Sequence, residues 1–263
     1  MGGINIIKEL GVSLLSFSIL CIVVYFLAKI FKTTYNDFKF SNPKKSAFYA
    51  IIAVTISSCM VTGLMFLLKS QSTLKTTSNT QEYTLNSVLS IAILWIIILL
   101  PILIIKKIRK ESWESTGVSK HNLKTSILIG FILAIITIAE VILFSSKSLG
   151  ELEQNLTLNA LWGLLYFIVV GFCEEFMFRG YLQTRLIQWV GRWKGWLLTS
   201  IVMALIHIPQ RMAAMGLSPK EAIISALLLI PISLTMGYIM MKTENIIAVG
   251  IYHTFANWVN ILM

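Results

Sequence analysis

Charged side chains interrupt a long apolar run in the stretch GFCEEFMFRGYLQTRL, residues 171–186. Glu174 and Glu175 are adjacent near the end of the run, and Arg179 follows four residues after the second glutamate. Ionisable groups at membrane depth are costly, so they mark functional sites more often than they occur by chance. We therefore interpret the rest of the chain as a scaffold that brings partner residues to this helix.

The composition is that of a polytopic membrane protein. Apolar residues make up 56% of the 263 residues and charged residues only 13%, and long apolar runs recur along the chain. In lipid the backbone polar groups must be satisfied within helices, so an all-α protein is predicted. Eight transmembrane helices are expected, at about 10–31, 46–68, 86–105, 124–145, 158–178, 195–208, 219–241 and 245–262.

The two halves of the chain differ in character, although we expect a single membrane-embedded unit. Residues 1–150 supply four spans that are almost free of ionisable residues, whereas residues 151–263 supply four spans that contain the charged and imidazole side chains. Any chemistry therefore belongs to the second half. The sixth span is short and is expected to stop at Pro209, which favours a tilted or re-entrant helix.

The net charge of +10 is explained by topology and does not point to nucleic acid. Fifteen Lys and Arg side chains fall after spans one, three, five and seven, against six on the opposite side. By the positive-inside rule, a multi-pass protein of the cell membrane with both termini on the outer side is predicted. The three cysteines lie in apolar runs without CxxC spacing, so packing is their expected role.

Helical phase suggests different roles for the two glutamates. Residues four apart share a helix face, so Glu175 and Arg179 can pair, while Glu174 points about 100° away and is left to act as an acid or base. The alternative is that both carboxylates only hold neighbouring helices together. On the first interpretation Glu175 and Arg179 are supporting residues, and the roles of the two glutamates are reversed if Glu175 rather than Glu174 faces the histidines.

Two of the three histidines lie inside apolar helices. His207 is in the sixth span, and His253 is in the last span with Asn257 on the same face one turn later. A carboxylate and an imidazole can together deprotonate a water, and a second histidine with an amide can stabilise an oxyanion. This set, Glu174, His207, His253 and Asn257, suits hydrolysis of an amide. A structural role for isolated core histidines is the alternative.

A bound metal is the other possibility for these side chains. Glutamate and histidine are zinc ligands, so Glu174, His207 and His253 are the candidate set. The chain contains no H-E-x-x-H pair, and the ligands would come from three separate helices. We therefore expect no cofactor, with zinc as the alternative.

Three motifs in order resemble those of the CPBP family of intramembrane proteases, which includes CAAX prenyl proteases and bacterial Abi self-immunity proteins. They are EEFMFR at 174–179, MALIH at 203–207 and HTFAN at 253–257. The resemblance covers about 160–260, and Met203 replaces the usual Phe of the second motif. It implies eight helices around a cavity open to cytosol and membrane. It also implies the site roles: water activation by Glu174 and His207, an oxyanion site at His253 and Asn257, and support from Glu175 and Arg179.

Three functions follow as hypotheses. The first is an endopeptidase, metal-dependent or glutamate-type, that cuts membrane-associated or prenylated substrates. The second is a non-catalytic bacteriocin-immunity or regulatory protein on the same fold. The third is a transporter that uses Glu174 and His253 as a proton relay. The expected partners are a peptide or membrane-protein substrate and the lipid bilayer.

Overall fold

The computed structural model describes residues 3–35, 38–72, 82–144 and 149–262, and these described residues form helices without a strand. Eleven α-helices are numbered in chain order: α1 Gly3–Ile30, α2 Pro43–Ser72, α3 Leu85–Ile108, α4 Leu123–Phe144, α5 Leu149–Asn155, α6 Leu158–Glu175, α7 Thr184–Val190, α8 Arg192–Met215, α9 Pro219–Leu227, α10 Ile230–Thr243 and α11 Ile246–Leu262. A π-helix, Phe176–Gln183, joins α6 to α7.

The polytopic all-α prediction is confirmed. Seven of the expected spans are long and apolar enough to cross a membrane, whereas the eighth, α11, has 17 residues and is shorter than the others. The fifth span includes α6, the π-helix and α7 in one stretch of 33 residues, Leu158–Val190. The seventh is divided into α9 and α10, because Pro231 has no N–H to continue the helical ladder.

The π-helix is the central element of the bundle. All eight of its residues are buried, and it contacts α2, α3, α8, α10 and α11. At Gly180 the carbonyl oxygen of Thr116, from the segment between α3 and α4, would lie 2.5 Å from a Cβ atom. Only glycine allows this approach, so the helix that follows the two glutamates is held directly against that segment.

Two glycines allow α6 and α11 to pack closely just before the glutamates. A Cβ atom at Gly171 would lie 3.2 Å from the backbone nitrogen of Thr254, and one at Gly250 would lie 2.7 Å from the Phe172 ring. Small residues let helices in membranes approach in this way. The contact brings the end of α6 next to His253.

The sixth span differs from its prediction. Helix α8 does not stop at Pro209 but continues to Met215, where Gly216 ends it in the left-handed conformation with φ 68°. Proline removes one backbone hydrogen bond without ending a helix when the neighbouring turns are well packed. The helix therefore spans 24 residues, and His207 lies in its interior rather than near its end.

Arg185, which the sequence placed among the loop charges, is instead fully buried in α7. Its Nη2 lies 2.7 Å from Glu111 Oε2, and its guanidinium lies 3.8 Å from the centre of the Tyr181 ring. A buried cation requires a partner of this kind. Glu111 also accepts from Arg109 Nε at 3.1 Å, so it joins the end of α3 to α7. The sequence feature that could have indicated this contact is the acidic Glu111 directly after the basic residues at 106–110.

Candidate active site

Glu175 and Arg179 form a buried pair at the junction of α6 and the π-helix. Arg179 Nε lies 3.3 Å from Glu175 Oε2, as the spacing of four residues predicts, and both residues are fully buried. The arginine also donates from Nη2 to the hydroxyl and carbonyl oxygens of Ser233 at 3.0 and 3.1 Å. The pair therefore attaches the π-helix to α10. Nothing in the sequence indicated that Ser233 would accept these hydrogen bonds.

His253 lies between the two glutamates. Its Nδ1 lies 2.8 Å from Glu175 Oε1, and its Nε2 lies 3.8 Å from Glu174 Oε2. Because a carboxylate only accepts, Nδ1 carries the proton of the shorter contact. Glu175 thus binds Arg179 through one oxygen and His253 through the other, and it fixes the orientation of the imidazole.

Glu174 is more accessible than Glu175. Its side chain is 22% exposed, whereas that of Glu175 is 0% exposed. The separation from His253 is beyond direct hydrogen-bonding distance, but it leaves both atoms within reach of one shared water. The two glutamates therefore occupy different environments, although both face His253, a convergence that helical phase alone did not predict.

His207 approaches the same region from α8. Its Nδ1 lies 2.7 Å from the carbonyl oxygen of Met203, and its ring lies 6.5 Å from the Phe178 ring in the π-helix. A carbonyl can only accept, so Nδ1 carries a proton and Nε2 of the neutral ring is a hydrogen-bond acceptor. Within the described residues, the hydrogen bond of the His207 ring is to Met203, and none joins it to Glu174.

Asn257 follows His253 by one turn of α11 and is partly buried. Its backbone oxygen accepts from Asn260 Nδ2 at 3.3 Å, while no hydrogen bond to its side-chain amide occurs within the ranges that the structure describes. The amide is therefore available to an external group. Of the predicted site residues, Glu175 contacts both Arg179 and His253, and Glu174 lies 3.8 Å from His253. His207 and Asn257 form no hydrogen bond with these residues within the described part of the chain.

The zinc alternative requires three ligands that converge on one point. Among the residues described, no group of three or more His, Cys, Asp or Glu side chains is placed so that it could hold a metal ion. His253 Nδ1 is engaged with Glu175, so Nε2 is the ring nitrogen left to interact with another group.

The fold and these contacts define a polytopic helical membrane protein with a buried site of two carboxylates, an arginine and histidines. Residues 156–259 match the family described as type II CAAX prenyl endopeptidase, Rce1-like. This region, from just before α6 into α11, contains every candidate residue of the site. Over these residues the chain is similar to the Rce1-like CAAX protease family, and this similarity confirms the resemblance carried by the three motifs. No curated protein and no solved structure matched the chain.

Proposed function

We propose that the protein is an intramembrane endopeptidase that hydrolyses peptide bonds of membrane-associated or prenylated substrates. The main support is the placement of His253, whose two ring nitrogens face the two adjacent carboxylates of the family motif. One carboxylate is buried with Arg179 and the other is accessible. A scaffold that required only a structural ion pair would not need the second, accessible carboxylate.

Water activation is assigned to Glu174 and His207. Glu174 is open enough to receive water, and His207 is held so that Nε2 is free to accept a proton. General base catalysis by such groups requires no covalent intermediate on the protein. The water attacks the carbonyl carbon of the scissile amide, its proton passes to this pair, and the same pair returns a proton to the leaving amine nitrogen.

The oxyanion of the tetrahedral intermediate is assigned to His253 and Asn257. The two carboxylates of Glu174 and Glu175 carry two negative charges, and Arg179 balances one of them. In this proposal His253 is protonated on both nitrogens and balances the other. Nε2–H is then a donor toward the site, with the ring oriented through Glu175. The free amide of Asn257 supplies a second donor from the same helix face.

The first test compares Glu174→Gln with Glu140→Gln in purified protein reconstituted in liposomes. Glu140 is also an intramembrane glutamate, but it accepts from Ser16 on α1 and lies outside the site. Loss of a general base lowers turnover by a factor of about 10² to 10⁴, so the Glu174 variant should lose at least about 100-fold and the control should stay near the parent rate.

Substrates for this assay are internally quenched peptides with a cysteine near the C-terminus, either prenylated or unmodified. Faster cleavage of the prenylated form would support the substrate class. Undiminished turnover by Glu174→Gln would contradict the assignment of Glu174 as the general base. A parent protein without cleavage of either peptide, but with proton-coupled uptake into the liposomes, would favour the transporter.

The orientation in the membrane is part of the proposal. The loops after α1, α3, α7 and α10 are assigned to the cytoplasm by their lysines and arginines, even though Arg179 and Arg185 are buried in the bundle. Ser41 precedes α2 and Glu82 precedes α3, so the two exposed residues lie at opposite ends of the second span. In a background without native cysteines, Glu82→Cys should react with an impermeant maleimide in intact cells, and Ser41→Cys only after permeabilisation. The reverse pattern would invert the topology.

A further inference from the structure

A groove with aromatic walls opens between α1, α8 and α10, away from the candidate active site. Its volume is about 330 Å³, and Tyr25 and Phe26 on its rim are 46% and 54% exposed. None of the motif residues contributes to it. The lining residues are Phe17, Cys21, Ile22, Tyr25, Phe26, Trp196 and Tyr238.

One wall is a face of α1, and the other is formed by Trp196 of α8 and Tyr238 of α10. On α1, Phe17, Cys21 and Tyr25 follow one another at four-residue intervals, so they form one continuous face of the helix. On the opposite side Trp196 donates from its indole nitrogen to the carbonyl oxygen of Leu234 at 2.9 Å, which fixes its ring against α10. The groove is therefore an open apolar depression between these helices, with the Trp196 ring held in place on one side.

Both walls end in a lysine. Lys242 follows Tyr238 by one turn of α10, and its Nζ lies 5.3 Å from the ring centres of both Tyr238 and Tyr25. The ammonium group thus lies at the mouth between the two helices. Lys29 follows Tyr25 by one turn of α1 and is exposed in the last turn of that helix. The two cations belong to the same end of the groove, since Lys242 contacts Tyr25 near the end of α1.

Other charges reinforce this end. Arg192 holds its guanidinium 4.3 Å from the centre of the Tyr35 ring and donates to the carbonyl oxygen of Met241. Lys242 itself approaches the hydroxyl of Tyr35 at 3.4 Å. The nearest acid in sequence, Glu244, faces His121 at 3.9 Å. Among the described residues, the mouth of the groove therefore brings Lys242, Lys29 and Arg192 to one end of an apolar surface.

We propose that this groove binds an anionic phospholipid, with one acyl chain along the aromatic wall and the phosphate at Lys242 and Lys29. Basic side chains at the membrane interface attract anionic headgroups by about 1 kcal/mol each, which corresponds to about fivefold in affinity. Tyrosine and tryptophan suit the same depth, because each has an apolar ring and a polar donor. The acyl chain of a zwitterionic lipid would occupy the same groove, but its headgroup has no net charge for the two lysines to attract. The site is independent of the proposed function.

Trp196 provides the readout, because brominated acyl chains quench indole fluorescence on contact. Purified protein in neutral detergent is titrated with dibrominated phosphatidylglycerol or dibrominated phosphatidylcholine. The signal of Trp196→Phe is subtracted to isolate the groove. Half-quenching should require about 25-fold less of the anionic lipid, because the two lysines contribute about fivefold each. Lys242→Gln should reduce this preference by about fivefold, and Lys29→Gln should act in the same way.

Lys107→Gln is the matched control, because Lys107 is an exposed lysine in the last turn of α3 and does not line the groove. It should keep the full preference. Raising the salt concentration should weaken the preference in the unaltered protein as well, since exposed charges are screened. Equal quenching by both lipids, or a preference that is undiminished in both Lys242→Gln and Lys29→Gln, would overturn the proposal and leave only ordinary lipid contact. Absence of any Trp196-dependent quenching would overturn it too.

Discussion

Glu175→Gln is expected to destabilise the protein by about 3–5 kcal/mol, whereas Glu174→Gln is expected to change stability little. The first substitution leaves Arg179 as an uncompensated charge in the fully buried centre of the bundle, and removal of one partner of a buried pair has an effect of this size. Glu174 is partly exposed and 3.8 Å from its nearest charged partner, so its neutral form is readily accommodated. Denaturant unfolding in detergent, followed by circular dichroism, measures the difference.

A double variant separates the orphaned cation from other effects of the substitution. Glu175→Gln combined with Arg179→Met removes both charges and should recover part of the lost stability, because buried pairs can often be replaced by apolar residues without net loss. Ser233 would then lose its donor, so recovery should be incomplete. The buried-pair account would be wrong if the double variant were no more stable than Glu175→Gln, or if Glu174→Gln were equally destabilising.

His253→Gln is expected to lower kcat by a factor of about 10² to 10³ with little change in KM. An oxyanion donor acts mainly in the transition state, so its loss affects kcat rather than substrate binding. Glutamine carries no positive charge and has both of its N–H donors on one nitrogen, so it cannot replace donors at the two ends of the imidazole ring. Peptide hydrolysis over a range of substrate concentrations provides both constants.

His121→Gln serves as the control for His253. This third histidine lies between α3 and α4, where its Nε2 contacts the carbonyl oxygen of Thr34 at 2.8 Å, and it should leave both constants near the parent values. A His253 variant with an unchanged kcat and a raised KM would assign the residue to substrate binding alone. Asn257→Ala should resemble His253→Gln, because the two side chains are proposed to share one oxyanion.

Much of the fold follows from local rules. Apolar runs of the right length predicted the spans, and four-residue spacing predicted the contact between Glu175 and Arg179. The two exceptions were decided by tertiary packing. Pro209 does not end α8, because the bundle supports the turn that lacks a hydrogen bond, and Arg185 is buried because Glu111 meets it from a distant segment.

The site was predicted as a set of residues but not as a geometry. The motifs identified Glu174, His207, His253 and Asn257, and the family match covers them. The contact of His253 with Glu175 depends on how α6 and α11 cross, and that crossing depends on the fit between Gly171, Gly250 and their neighbours. Sequence spacing does not specify this fit, because it is set by residues about 80 positions apart.

The adjacent glutamates and the arginine one turn later were enough to indicate a buried ionic site on one membrane helix. Local helix geometry determines that contact, so the sequence by itself was sufficient. Only the tertiary structure placed His253 between the two carboxylates, Ser233 beneath the arginine and the aromatic groove under Lys242. These contacts join separate helices, and the packing of side chains between helices, rather than the period of any one of them, decides which groups meet.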